Sequence, residues 1–303
     1  MRVGKIILPA LFFTLMSNGY IQSNDVKIYY EIVGDTARAP LLLLNGGPGL
    51  SHEYLREMRA LAPYAQLVFY DQRGTGNSDK ADRATYTMDA NVEDLENLRR
   101  GLGLERVRVL GHSWGGILAQ AYILKYPDAV TKLILADTFS SIGDLQATFD
   151  RMLAAVPPET RALYEKYERA GLYRDGDTYP PEYQAALEVA YQGIYISIPP
   201  PEYLQNSFSR IAYDVYRVMW GDESEFRITG TLKDFDFFPR LNEIRVPTLV
   251  LAGAHDMPTP AMTQKMADAI PNARCEIFEQ SCHFPFLEEP EKFVRVLAEF
   301  FDA

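Results

Sequence analysis

Ser113 sits between glycines in Gly111-His112-Ser113-Trp114-Gly115. An apolar, partly β-branched run, Val107 to Leu110, precedes it, and a helical pattern, Ile117 to Leu124, follows it. A G-x-S-x-G segment between a strand and a helix is the setting in which a serine rides on a sharp, strained turn with its Oγ above the sheet. The flanking glycines let strand and helix come close. The backbone N–H of Trp114 then points at an oxyanion formed by attack on a carbonyl. The chemistry this spacing serves is nucleophilic acyl transfer.

A serine alcohol needs a base, and the base needs an acid to orient it. In folds built on this turn the chain order is serine, then Asp or Glu, then histidine. The chain has four histidines. His283, in Gln280-Ser281-Cys282-His283-Phe284-Pro285, lies after the last strand pattern and before the last helical one, and is the expected base. His52 precedes the serine, His255 adjoins the candidate acid, and His112 is read as structural. Asp256 and Asp137 both follow strand patterns, where catalytic groups gather in open α/β sheets. Asp256 is preferred because it stands one helix–strand unit before His283; Asp137 otherwise reads as a hydrogen-bonding partner for the chain entering the cap. A second oxyanion donor is expected from the loop Asn45-Gly46-Gly47-Pro48-Gly49, with Gly47 first and Gly46 as the alternative. The segment Asp71 to Ser78 reads as a tight turn bracing the floor of the site. A base acting in this way must be neutral, so activity is expected to fall at acid pH as His283 takes up a proton.

The elements that would position these groups alternate. The run Leu41 to Leu44 reads as a fully buried strand, followed by a helix near Ser51 to Leu61 and a strand from Gln66 to Tyr70. A helix from about Met88 to Leu102 then precedes the elbow strand and its helix, and Thr131 to Ala136 is a further buried strand. Strands alternating with helices predict a parallel α/β sheet. The alternation stops near Thr138. As far as about Arg240 the chain is helical and aromatic, interrupted at Pro157-Pro158, Pro180-Pro181 and Pro199 to Pro201. It resumes with a strand from Val246 to Ala252, a helix from about Pro260 to Ile270, a strand from Ala273 to Phe278 and a helix from about Pro290 to Phe300. The expected organisation is a core of residues 17–137 and 241–303 with a helical cap, 138–240, inserted. Ahead of it, Gly19 to Glu31 reads as a hairpin with an Asn24-Asp25 turn.

Composition narrows the classes. The 303 residues are 47% hydrophobic and 23% charged, ordinary for a globular enzyme. A net charge of −11 argues against nucleic-acid binding, which needs a basic footprint. Cys275 and Cys282 form no C-x-x-C pair and are expected to be free thiols, with no structural zinc site. Residues 1–16 carry Arg2 and Lys5 ahead of an apolar run, Ile6 to Met16, too short to span a membrane. They read either as an export signal or as a non-native extension ahead of a start at Met16. A cytoplasmic protein without a membrane partner is the expectation, an exported one the alternative.

Taken together, Asn45-Gly46-Gly47-Pro48-Gly49, Asp71-Gln72-Arg73-Gly74-Thr75-Gly76, the Ser113 elbow and Gly253-Ala254-His255-Asp256 resemble the proline iminopeptidase family of α/β-hydrolases. Met219 to Asp234 is similar to a cap segment of prolyl aminopeptidases of the tricorn-interacting type. The resemblance runs from about Gly19 to the end. It implies an α/β-hydrolase fold and release of an N-terminal residue, proline or another small one, from a small peptide or amide. It also implies the triad Ser113, Asp256 and His283, oxyanion donors at Gly47 and Trp114, and no metal or organic cofactor; it indicates no oligomeric state. It implies further that acidic residues of the cap segment bind the substrate amine: Glu225 by direct match, or Glu223 if the match slips by two. Two positions depart from the family pattern. Asn45 replaces the usual histidine, and Met257 stands where the tricorn-interacting type has a second glutamate. The loss of that carboxylate keeps open an amino-acid amide, ester or lactone hydrolase. A non-catalytic ligand receptor on the same scaffold is a third reading, disfavoured by the intact triad.

Overall fold

The computed structural model describes residues 15–171 and 179–303. Of segment 1–16 only Leu15 and Met16 are described, both in the first strand. β1 (Leu15–Ser23) and β2 (Val26–Val33) pair antiparallel. Asn24 opens their turn at φ 50°, a conformation asparagine tolerates better than most residues. β3 (Pro40–Leu44), β4 (Gln66–Tyr70), β5 (Val107–His112), β6 (Val130–Ala136), β7 (Thr248–Gly253) and β8 (Ala273–Phe278) complete one eight-stranded sheet. Its order is β1-β2-β4-β3-β5-β6-β7-β8. The six strands from β3 onward are mutually parallel, and β2 joins β4 antiparallel.

The unbroken apolar runs follow from layers on both faces. Side chains alternate along a strand, so Leu42 and Leu44 of β3 enter one core while Leu41 and Leu43 enter the other. β4 divides in the same way, Val68 and Tyr70 against Leu67 and Phe69. Helices α1 (Met88–Gly101) and α2 (Trp114–Lys125) supply Val92, Leu95, Leu118 and Tyr122 to the first core. The second is closed by a 3-10 helix, His52–Leu61, giving Tyr54, Leu55 and Met58, and by the C-terminal helix Pro290–Asp302, giving Phe293 and Leu297. The segment near Ser51 to Leu61 is therefore helical but wound more tightly than an α-helix.

Between β6 and β7 the chain forms α3 (Ile142–Ala155), α4 (Pro158–Ala170), α5 (Pro181–Tyr191), α6 (Glu202–Ser209) and α7 (Tyr213–Met219). The double prolines that interrupt the sequence pattern are helix starts. Pro158 and Pro181 each take the first helical position, where a missing N–H costs nothing and φ is already set. After β7 come α8 (Pro260–Asp268), α9 (Pro285–Glu288) and α10 (Pro290–Asp302). β7 begins at Thr248, not Val246. Pro247 accepts a bond from the Leu133 N–H but has no N–H to return. Among the described residues no helix is long and apolar enough to cross a membrane, and Cys275 and Cys282 are free thiols.

Candidate active site

Ser113 caps α2 at φ 58° and ψ −126°, a strained conformation costing about 1–3 kcal/mol for a residue with a side chain. Neighbours hold it there. Its N–H donates to the Ala136 carbonyl at 2.9 Å, and its own carbonyl accepts from Thr138 Oγ1 at 2.7 Å. The turn exists because its glycines have no Cβ. A Cβ on Gly111 would run into the Gly115 carbonyl, and one on Gly115 into the carbonyl of Leu44. Trp114 is the first residue of α2, so its N–H has no carbonyl within the helix to bond. The α2 N-terminus thereby presents a donor beside the serine.

His283 is buried in the loop between β8 and α9. Its Nδ1 lies 2.8 Å from Asp256 Oδ1, and a carboxylate can only accept, so Nδ1 carries the proton and Nε2 is the basic nitrogen. Nε2 has no hydrogen-bond partner among the described residues. His283 and Ser113 line one cavity without a hydrogen bond between them; such bonds commonly tighten only with substrate. Several contacts fix the histidine. Its ring stacks on Tyr195, centroids 5.0 Å apart and planes at 24°, and its N–H donates to the Tyr195 carbonyl at 3.2 Å. The Glu288 carboxylate accepts from the N–H groups on either side, those of Cys282 and Phe284, each at 3.0 Å. Asp256 Oδ1 also accepts the Met257 N–H at 2.6 Å.

A second polar chain runs behind the triad candidates. The Gly46 N–H donates to Tyr54 Oη at 2.5 Å, Tyr54 Oη lies 2.9 Å from His112 Nδ1, and His112 Nε2 lies 2.7 Å from the His283 carbonyl. Tyr54 must donate to Nδ1, so Nε2 carries the proton and donates to His283. Burial, reinforced by the neighbouring His283, holds His112 well below the ordinary histidine range and therefore neutral. The loop after β3 and the backbone of His283 are thus tied together. The N–H of Gly46, the alternative oxyanion donor, is engaged by Tyr54. Gly47, at φ 115°, is suited to that loop position by lacking a side chain and lines the cavity. Asn45 Nδ2 donates to the Leu50 carbonyl at 2.5 Å, and Gln72 bridges the Asn45 carbonyl, 2.8 Å, and the Trp114 indole N–H, 2.8 Å. Asn45 and the turn after β4 therefore brace the loop from below.

His52, set aside by chain order, anchors the same loop. Its N–H and Nδ1 both reach Asp71 Oδ1 at 2.8 Å, its Nε2 lies 3.6 Å from Glu31, and Arg59 reaches Glu31 at 2.9 Å. Burial opposes the charged imidazolium, but the hydrogen bond to Asp71 and the nearby Glu31 carboxylate outweigh it and raise His52 to about 10. The nearby His52 imidazolium in turn lowers Glu31 to about 2, against the opposing effect of its burial. Linkage fixes the pH window. The His52 contribution is complete below its ordinary value of 6.5 and is lost as pH rises through about 10; the Glu31 contribution is complete above 4.5 and is lost as pH falls toward 2. Thermal melts of wild type and His52→Gln at pH 6 and pH 10 are expected to diverge at pH 6 and converge at pH 10. An equal gap at both values would show that His52 is uncharged.

The cavity, about 1350 Å³, is walled by the helices inserted between β6 and β7. Glu225 lines it and is 9% exposed. Its carboxylate accepts from three tyrosine hydroxyls on separate segments: Tyr179 at 2.7 Å, Tyr216 at 2.9 Å and Tyr191 at 3.3 Å. The Trp220 indole donates to its backbone carbonyl at 3.0 Å. Glu223 is the alternative match. It is exposed, pairs with Arg227 at 3.2 Å, and does not line the cavity; a slip of two residues in this turn points the side chain to water. Met257 does line the cavity, with Phe139, Leu145, Phe149 and Trp220 making apolar wall. Sequence reasoning missed Tyr54, Tyr195 and the three tyrosines around Glu225. All but Tyr216, nine residues from Glu225, act across dozens of residues of chain, and none carries a local motif.

The model of the α/β-hydrolase fold family matches residues 39–290. The proline iminopeptidase of Clostridioides difficile (strain 630) is 36% identical over 298 residues, covering 95% of this chain and 99% of the relative. Among solved structures, VinJ superposes with a TM-score of 0.86 at 32% identity, covering 95% of this chain and 99% of that one. The proline iminopeptidase of Mycobacterium smegmatis superposes with a TM-score of 0.82 at 30% identity, covering 94% and 98%.

Proposed function

The chain belongs to the proline iminopeptidase family of α/β-hydrolases, and from that premise we propose that it is a serine aminopeptidase releasing N-terminal proline, or another small residue, from short peptides and amides. Ser113 Oγ attacks the carbonyl of the first residue while His283 Nε2 takes its proton. Asp256 holds the opposite ring nitrogen and stabilises the imidazolium. The Gly47 and Trp114 N–H groups receive the oxyanion. His283 then returns the proton to the departing amine, and water, activated by the same base, frees the acyl enzyme. Glu225 binds the protonated substrate amine, and the apolar wall of Phe139, Phe149 and Trp220 receives the ring or small side chain. The observation that carries this reading is Glu225. It presents a carboxylate to the same cavity that Ser113 and His283 line, and a cationic amine is the substrate group such a carboxylate attracts.

Met257 favours the second reading. With one carboxylate fewer than the tricorn-interacting type, the pocket suits a less charged amide, ester or lactone. Initial rates on four chromogenic substrates separate the two: free-amine proline and alanine p-nitroanilides, N-acetylproline p-nitroanilide and a short-chain p-nitrophenyl ester. The proline anilide is expected to exceed its acetylated form by about 100-fold or more in kcat/KM, the equivalent of about 3 kcal/mol. A dominant ester, or indifference to acetylation, would transfer the assignment to the amidase or esterase reading.

A further inference from the structure

Asp137 stands at the end of β6, 1% exposed, at φ 53°. A positive φ is rare for a residue with a side chain and persists where the surroundings enforce it. Two bonds do so here: its N–H donates to the Leu251 carbonyl at 2.9 Å, and its Oδ1 accepts the Gly253 N–H at 3.0 Å. The side chain is thereby turned toward the acid–base pair. One oxygen of Asp137, one of Asp256 and a ring nitrogen of His283 all lie within 4.8 Å of one another. Asp256 Oδ1 is engaged twice, by His283 Nδ1 and the Met257 N–H. Asp256 Oδ2 and Asp137 Oδ2 are both buried, and neither has a hydrogen-bond partner among the described residues.

Two buried carboxylates this close cannot both be ionised cheaply, and one proton satisfies both free oxygens. We propose that Asp137 is a positioning residue of the active site, a neutral carboxylic acid whose Oδ2–H donates to Asp256 Oδ2. It would fix the plane of the Asp256 carboxylate so that Oδ1 stays on His283. The proton stays on Asp137 throughout turnover; no bond to substrate forms or breaks there. Burial, then the charge of Asp256, drives Asp137 well above the ordinary carboxylate range. The other titratable groups around it are His112, whose Nε2 is 3.8 Å away, Tyr54, Cys282 and Glu288. His112 is held neutral by burial, and burial keeps Tyr54 and Cys282 protonated. That leaves Glu288 as a second, more remote acid.

The inference rests on the triad reading above, so Ser113→Ala and Asp256→Ala are measured alongside on proline p-nitroanilide. Asp137→Asn keeps both functions, an oxygen for the Gly253 N–H and an N–H for Asp256, and asparagine tolerates the positive φ. Its kcat is expected within about threefold of wild type, since the amide supplies the same donor and acceptor. Its acid limb should coincide with that of wild type, because no charge has been removed. Asp137→Ala, which supplies neither bond, is expected to lose about 10- to 100-fold in kcat through misplacement of the pair, with KM little changed. An Asp137→Asn acid limb displaced downward by about one pH unit or more would mean that an ionised Asp137 had been supporting the imidazolium, and would overturn the proposal. So would an inactive Asp137→Asn, a folded Asp137→Ala with the wild-type kcat, or wild-type activity lost on dialysis against a chelator, which would put a cation where the proton is placed. Should Asp137→Ala not fold, the Asp137→Asn pH profile decides alone. Activity surviving in Ser113→Ala would instead fail the triad reading itself.

Discussion

Ser113→Ala is expected to lower kcat/KM on proline p-nitroanilide by about 10⁴- to 10⁶-fold, the range seen when an activated serine nucleophile is removed. The loss follows from the order of events. Without Oγ no acyl enzyme forms, and the imidazole of His283 has no alcohol to deprotonate. What remains is a cavity with the proposed oxyanion donors, which is expected to retain catalysis of about 10³- to 10⁴-fold over water. Fold and substrate binding should survive, because the strained turn is held by backbone bonds to Ala136 and by Thr138 Oγ1, none of which involves the Ser113 side chain. Two measurements check this: single-turnover release of p-nitroaniline, and binding of prolinamide to the variant by calorimetry. A residual rate above about 1% of wild type, far beyond what such a cavity retains, would mean that another group or a bound water is the nucleophile. Prolinamide failing to bind would mean that the turn itself had moved.

What could be read from sequence follows from how local each determinant is. The buried strands announce themselves because helices cover both sheet faces, so every position of Leu41 to Leu44 and of Gln66 to Tyr70 is buried. The elbow is legible because its glycines are required by contacts within a few residues, such as Gly111 against Gly115. Asp256 and His283 are legible through chain order, and they do meet at 2.8 Å. The rest depends on distance along the chain. Tyr54 is one of 19 tyrosines, and its bond to His112 spans 58 residues. His52 fails the order test for a catalytic base and leaves no local sign that Asp71 and Glu31 will enclose it. Asp137 reads as a hydrogen-bonding partner for the chain entering the cap, whereas its side chain accepts from the Gly253 N–H at the end of β7. Its approach to Asp256 depends on β6 and β7 being neighbours, which pattern alone does not reveal. Glu223 and Glu225 are equivalent in composition; only the turn that buries one and exposes the other separates them.

Glu225→Gln is expected to cut kcat/KM on free-amine proline p-nitroanilide by about 100-fold, at the lower end of the roughly 3–5 kcal/mol for breaking a buried charge pair. The lower end applies because the cavity is open enough to admit substrate and water to the surviving ammonium. Glutamine fills the same volume and still offers an oxygen to the hydroxyls of Tyr179, Tyr191 and Tyr216, so the cage around it persists while the charge is lost. The effect should fall on kcat as well as KM. The amine is borne by the carbon next to the reacting carbonyl, so an ammonium that drifts carries the carbonyl away from the Gly47 and Trp114 donors, and small misplacements are costly in rate. N-acetylproline p-nitroanilide and the p-nitrophenyl ester are the internal controls. Neither presents an ammonium, and both should change by less than about threefold, as expected when only a charge-specific contact is removed. Tyr216→Phe removes one hydroxyl while leaving the carboxylate and should cost about 10-fold, in line with one hydrogen bond to a charged group. An equal loss on all substrates would locate the damage in the cage and not in amine recognition. No loss on the free amine would leave Glu225 without a role in binding it, and the apolar wall with Met257 would then define an enzyme that selects the acyl group alone.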